Sequence, residues 1–301
     1  MKKIAIEEHV NESDLSNFDQ RIRDMDEAGI DMQVLSYAFI YDEGETAGAV
    51  EAAKKTNDAL ARMVDKNPER FRAFTVLALH NLEEAANELE RTVTQFGFAG
   101  GMVFGSFEGE FLDNPRYLPL FERAEKLDVP IYIHPAAPPP DMIKYYSVYP
   151  GLEGAILGFS AQNSLQAMRM ILSGLFEKYP SLKIILGHMG EGLPYWLWRI
   201  DSRWMEARER DPDADKLYKN FKKSPAQFFR DNFYVTTSGM FWLPPLECAI
   251  AAMGADRVLF AVDYPPESIT DGAAFIESAP IDEKVKEKIC HLNAERLLKI
   301  P

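Results

Sequence analysis

Short apolar runs rich in β-branched residues alternate along this chain with longer stretches whose apolar residues recur every three or four positions. The alternation predicts eight strand–helix units. The strands are read as Lys3 to Glu8, Met32 to Ala38, Arg72 to Leu79, Gly101 to Phe104, Pro130 to His134, Lys183 to His188, Phe233 to Thr237 and Arg257 to Asp263. Helices are expected at Ala47 to Met63, Leu82 to Gln95, Tyr117 to Lys126, Leu165 to Glu177 and Glu283 to Leu298. Units of this kind build parallel sheets, and eight of them favour closure into a (β/α)8 TIM barrel over an open doubly wound sheet, whose edges would need protection that the sequence does not supply. No linker or low-complexity tract interrupts the pattern, so residues 1–301 are read as a single catalytic domain. The irregular stretch 135–151 follows a strand end directly and is expected to arch over the barrel mouth.

In such a barrel, active sites form at the C-terminal strand ends. Simple alternation puts Ile4, Ile6 and Glu8 on one face of the first strand and Ala5, Glu7 and His9 on the other. Glu7 and His9 then project together at the mouth, and Glu8 points elsewhere. The fifth strand ends at His134, the sixth at His188 and the eighth at Asp263. Glu7, His9, His134 and Asp263 form a hard O/N set suited to one divalent metal ion, Zn2+ or Mn2+, with positions left for water or substrate. His188 is either a further ligand or a nearby acid/base. A single strand-end histidine is an ordinary rim residue. Unpaired Glu7 and Asp263 in an apolar mouth would be expensive, however, and a cation removes that cost. Many metallohydrolase barrels that bind two metals carry His-x-His on strand one and a lysine at the end of strand four; here the first strand carries Glu-x-His and the fourth ends Met102-Val103-Phe104-Gly105-Ser106 without a lysine, so the comparison favours one metal. His80 precedes the helix start at Asn81 and is read as lying beside that cap, and His291 as a solvated or interhelical contact within the last helix.

Charge narrows the partners. Lys and Arg total 33 against 47 Asp and Glu, a net charge of −14, with no basic run to neutralise a phosphate backbone, so no nucleic acid is expected. The start MKKIAIEEHV lacks the apolar stretch of a secretion signal and no later segment could span a membrane, which points to a soluble, cytoplasmic protein. Cys248 and Cys290 are too few and too far apart for a disulfide framework. No glycine-rich phosphate loop suggests an organic cofactor. Trp196, Trp198 and Trp204 are read as core rather than interface.

IAIEEH at the start, IYIHP at 131–135, IILGHMGEGLPYWLWRID at 184–201, TTSGMF at 236–241, VDYP at 262–265 and NAERLLKI at 293–300 span the chain in order. Together they resemble the amidohydrolase-related nonoxidative decarboxylases, such as those acting on γ-resorcylate and 2,3-dihydroxybenzoate. The resemblance implies a metal-dependent carboxy-lyase acting on an ortho-hydroxybenzoate, a small aromatic carboxylic acid. It makes Glu7, His9, His134 and Asp263 the metal ligands and Asp263 the acid that protonates the ring carbon. His188 and Glu191 become a hydrogen-bonded pair beside the substrate, and Arg199 a support for that network or for the substrate's anionic groups. A homodimer or homotetramer is implied as well. The chain departs from the pattern at Phe104, where an asparagine is usual, at Tyr264-Pro265-Pro266, which replaces Trp-Pro-aromatic, and in the first loop, Val10-Asn11-Glu12-Ser13, which lacks an aromatic residue. The alternative on the same scaffold is a hydrolase of a lactone or related ring ester using metal-bound hydroxide; a noncatalytic binding barrel is the remaining class.

Overall fold

The computed structural model describes residues 1–11, 18–37 and 46–300, so Glu12, Ser13 and Ala38 of the expectations above lie outside the described residues. Strands β1 (Ile4–Val10), β2 (Met32–Tyr37) and β3 (Phe71–Ala73) form one parallel sheet. A second holds β4 (Thr75–Val76), β5 (Gly101–Phe104), β6 (Ile131–His134), β7 (Ile184–Leu186), β8 (Phe233–Thr236) and β9 (Val258–Leu259). The two sheets are arcs of one barrel. β3 and β4 are halves of one expected strand, parted at Phe74, whose N–H donates to the Leu35 carbonyl at 2.8 Å. On the far side Ile6 N–H donates to Phe260 O (3.2 Å), Asp263 N–H to Glu7 O (2.9 Å) and His9 N–H to Tyr264 O (2.7 Å). These bonds join β1 to the last strand and close the ring at the eight expected positions.

Helices fill the connections, and their ends follow local chemistry. Leu82–Phe96 begins where the Asn81 side chain accepts a hydrogen bond from Glu84 N–H and ends at left-handed Gly97. The helix expected at Leu165 to Glu177 starts earlier and stops sooner, at Gly158–Leu172, and a separate turn, Leu175–Lys178, follows left-handed Gly174. The last expected helix runs as Glu283–Glu287 and Asn293–Leu298 through a π-turn at Lys288–Leu292.

Two apolar layers result. Ile4, Ile6, Val34, Phe74, Met102, Tyr132, Ile185 and Leu259 fill the barrel, while Ala5, Leu35, Ile133, Leu186 and Val235 pack against the helices. Strict alternation along β1 would therefore put Glu7 outside with Ala5. A β-bulge prevents this: the register of β1 on β2 shifts between Ala5 and Glu8. Past the shift Glu7 and His9 join Ile4 and Ile6 inside, and Glu8 turns to the helix layer, which corrects the face assignment made from alternation alone.

The tryptophans also need correction. Trp198 is 78% exposed and Trp196 47% exposed, with Trp204 partly buried against Tyr218 and Phe221. Helix Leu193–Arg210 buries Leu193, Pro194 and Leu197 instead. Among the described residues, no helix is long and apolar enough to cross a membrane.

Candidate metal centre

Glu7, His9, His134 and Asp263 converge at the mouth, each offering one ligand atom, with all four atoms within 4.8 Å of one another. Nε2 of His9 lies 3.1 Å from Nε2 of His134 and 3.0 Å from Oδ1 of Asp263, and His134 Nε2 lies 3.4 Å from Oε1 of Glu7. The outer imidazole nitrogens are occupied. His134 Nδ1 bonds the Pro135 carbonyl at 2.8 Å, so it carries the proton, and His9 Nδ1 lies 2.8 Å from Ser36 Oγ. With Nδ1–H donating to Ser36, both rings turn an unprotonated Nε2 inward, the state a metal requires. Glu7 Oε1 and Asp263 Oδ1 are buried without a hydrogen-bond partner. Two orphaned carboxylate oxygens facing two imidazole lone pairs fit a cation and little else.

His188 stands one step back. β7 ends at Leu186, and residues 188–192 form a left-handed turn with φ of 50°, 54°, 73°, 54° and 80°. Non-glycine residues in this region cost on the order of 1 kcal/mol each, and the turn is braced accordingly. Ser164 Oγ donates to the Glu191 carbonyl at 2.6 Å, and Ser238 Oγ accepts from His188 N–H at 3.1 Å. A Cβ on Gly190 would lie 2.7 Å from Val235 Cγ1, so only glycine lets the turn sit this close to β8. The turn brings His188 Nδ1 within 3.0 Å of Glu191 Oε1, which also accepts from Asn163 Nδ2 at 3.3 Å. His188 Nε2 points to Asp263 Oδ2 at 3.5 Å and lies 3.9 Å from Glu7 Oε1. Asp263 itself has φ 77°, a second strained position at the site.

Electrostatics divide the histidines. Burial, then the neighbouring His9, holds His134 well below the usual imidazole range, as a ligand needs. Burial would lower His188 as well, but the carboxylates of Glu7 and Glu191 outweigh it and hold the ring protonated well above that range. Burial raises Glu7. Asp263 is held low despite its burial by the hydrogen bond with His188 and by the neighbouring His9 imidazole.

Above the cluster opens a cavity of about 500 Å³ whose walls include Tyr37, Pro135, Phe159, Met240, Pro266 and Glu267. Of the irregular stretch 135–151, Pro135 lines the cavity, and Ala155 beyond that stretch lines it too. Phe104 packs on both inner histidines, with ring centroids 4.9 Å from His134 and 6.4 Å from His9. The family model described as Amidohydrolase matches residues 6–300. The chain belongs to the amidohydrolase family. Within it, the chain is 40% identical over 292 residues to a γ-resorcylate decarboxylase of Polaromonas sp., covering 94% of this chain and 87% of that one. A solved 2,6-dihydroxybenzoate decarboxylase from Rhizobium superposes with a TM-score of 0.90 at 36% identity, covering 100% of this chain and 99% of that one. A dihydroxybenzoic acid decarboxylase from Polaromonas sp., solved with manganese and the inhibitor 2-nitroresorcinol, gives 0.89 at 38% identity, covering 99% and 97%.

One expectation lands elsewhere. Arg199 is exposed on helix Leu193–Arg210, and no hydrogen bond to His188 or Glu191 is present among the described residues, because the helical period that buries Leu193 and Leu197 turns position 199 outward. His80 stacks on Phe107 at 4.6 Å and does not line the cavity. His291 pairs with Glu295 one helical turn on, at 3.2 Å. Sequence reading missed Ser36, Tyr132, Asn163, Thr236 and Ser238. Tyr132 and Thr236 had a usable signal, since each occupies an inward position near the end of a barrel strand.

Proposed function

We propose that this amidohydrolase-family chain is a metal-dependent, nonoxidative decarboxylase of an ortho-hydroxybenzoate. The observation that carries the reading is the pair of orphaned oxygens, on Glu7 and Asp263, facing His9 and His134 at the floor of the cavity. The 40% identity to a γ-resorcylate decarboxylase supports it and makes 2,6-dihydroxybenzoate the first substrate to test. Glu7, His9, His134 and Asp263 would hold one divalent ion, Mn2+ or Zn2+. When bound, that ion would supply a positive centre for the carboxylate and adjacent phenolate oxygens of the substrate.

The chain's own residues manage the proton. Direct loss of CO2 would leave an aryl carbanion, so the ring carbon bearing the carboxylate must be protonated first. His188, held protonated by Glu191 at Nδ1, directs Nε2–H at Asp263 Oδ2 across 3.5 Å. Asp263 delivers the proton to the ring carbon and His188 resupplies it. The C–C bond then breaks, its electron pair restores aromaticity, and the balance is carboxylate plus proton to arene plus CO2.

The protein is further proposed to be a cytoplasmic homodimer or homotetramer. Its two cysteines are free, and Tyr195, Trp198 and Trp242 are 78%, 78% and 65% exposed, large aromatic side chains of the kind that partner subunits cover.

The test is a product assay. Mn2+-loaded protein is incubated with 2,6-dihydroxybenzoate, 2,3-dihydroxybenzoate, salicylate and a panel of lactones. Release of CO2 with the matching phenol is expected, and Asp263→Asn abolishes it. Ring-opened acids from the lactones, with no CO2 from any benzoate, would replace this reading with the hydrolase.

A further inference from the structure

Beneath Glu7 lies a buried set of hydroxyls that the proton path does not use. Tyr132, on β6 two residues before His134, donates its hydroxyl to Glu7 Oε2. Thr236 Oγ1, on β8, reaches the same oxygen at 3.3 Å and lies 3.1 Å from the Tyr132 hydroxyl. Ser238 Oγ lies 2.8 Å from Thr236 Oγ1 and accepts from the His188 N–H. Tyr132, Thr236 and Ser238 are buried, as is Glu7. A Cβ on Gly187 would sit 3.1 Å from Glu7 Oε2 and 3.3 Å from Ser238 Oγ, so glycine there leaves room for the assembly.

The protons can run in one consistent direction. Ser238 accepts from backbone and is free to donate to Thr236; Thr236 and Tyr132 then donate to the carboxylate. Every hydroxyl proton points towards Oε2, while Oε1 receives none. A carboxylate can bind a cation with one oxygen or with both. Glu7 is left with one.

We propose that Tyr132, supported by Thr236 and Ser238, is a positioning residue for the metal, occupying Oε2 of Glu7 so that Oε1 alone is presented to the cation. The proposal rests on the metal reading above. It also ties the ligand to the proton path, because the chain of hydroxyls ends on the backbone of His188. Partners behind a metal ligand typically change metal affinity by about 10- to 100-fold when removed.

The experiment measures Mn2+ binding to the chelator-stripped full-length protein by the electron paramagnetic resonance signal of free Mn2+, with circular dichroism reporting the fold. Wild type binds one ion. Tyr132→Phe is expected to raise the dissociation constant about 10- to 100-fold with the fold retained. Tyr234→Phe is the control, since Tyr234 sits in the same barrel interior and no hydrogen bond from it to Glu7 is present among the described residues; its affinity should match wild type. Should Tyr132→Phe fail to fold, Thr236→Val carries the test and should weaken binding several-fold. Wild-type affinity in Tyr132→Phe, or in Thr236→Val when it stands in, overturns the proposal, as does an equal loss in the Tyr234→Phe control. Failure of the wild type to bind Mn2+ would instead overturn the metal reading on which the proposal rests.

Discussion

Glu7 and Glu8 are adjacent, identical in chemistry and both fully buried, yet they stand in opposite conditions. Glu8 faces the helix layer, where each oxygen accepts a hydrogen bond, Oε1 from Val262 N–H at 3.0 Å and Oε2 from Gln33 Nε2 at 3.2 Å. Gln33 in turn accepts from Arg21, a buried guanidinium that also stacks on Tyr264 at 4.7 Å and donates to the His9 carbonyl. Glu7 faces the mouth with one oxygen saturated and the other bare. Burial alone therefore says nothing about function; incomplete satisfaction of a buried charge does. Glu8 is a structural brace that ties β1 to the last strand, and Glu7 is half of an unfinished contact.

The comparison can be broken most forcefully at Glu7. Glu7→Gln should abolish decarboxylation and weaken Mn2+ binding by more than about 100-fold, beyond the loss expected for an outer partner, with the fold intact by circular dichroism. Retained Mn2+ affinity would mean that the bare oxygen marks something other than a ligand. The mirror experiment is Arg21→Met, which strips charge from behind Glu8. Removing Arg21 takes the guanidinium donor from the buried Gln33 oxygen and His9 carbonyl, at about 1–3 kcal/mol for each acceptor left unsatisfied, so the melting temperature should fall while metal stoichiometry in the folded fraction stays at one. Loss of metal without loss of stability would reverse the two roles.

The smallest effect sharpens the contrast through pH. Burial pushes the Glu8 carboxyl up to about 8, against the Val262 N–H and Arg21. The folded protein then holds that proton more tightly than the unfolded chain, whose carboxyl titrates near about 4.3. Stability falls as pH rises between those values. Glu8→Gln removes this dependence, so its melting temperature relative to wild type should become more favourable from pH 5.5 to pH 8. A difference that does not move with pH would show that Glu8 is already ionised in the folded state.

The convergence of the four candidate ligands was legible because strand ends in a barrel meet by topology, so His134 and Asp263 needed only the alternation of strands and helices to be placed. Glu7 was placed on the correct side for an incomplete reason. Pure alternation separates it from Ile4 and Ile6, and the bulge that reunites them leaves no mark in IAIEEHV. The left-handed turn had a signal in the glycines at 187, 190 and 192, which argue against a strand running on through His188. Arg199 was misplaced because proximity in the motif was taken for proximity in space, although helical phase separates it from Leu197. The inward positions of Tyr132 and Thr236 could be read from the strands, but their meeting at Glu7 could not, because it depends on the bulge in β1.

The seam of the barrel has a consequence for how the molecule comes into being. Glu8 on β1 and Val262 beside Asp263 bond across 254 positions of chain. Loops of that length form late, after nearer strands have paired. A nascent chain emerging from the ribosome thus exposes Glu7, His9 and His134 long before Asp263 exists to join them, and selective capture of the ion has to wait until synthesis has passed the final strand.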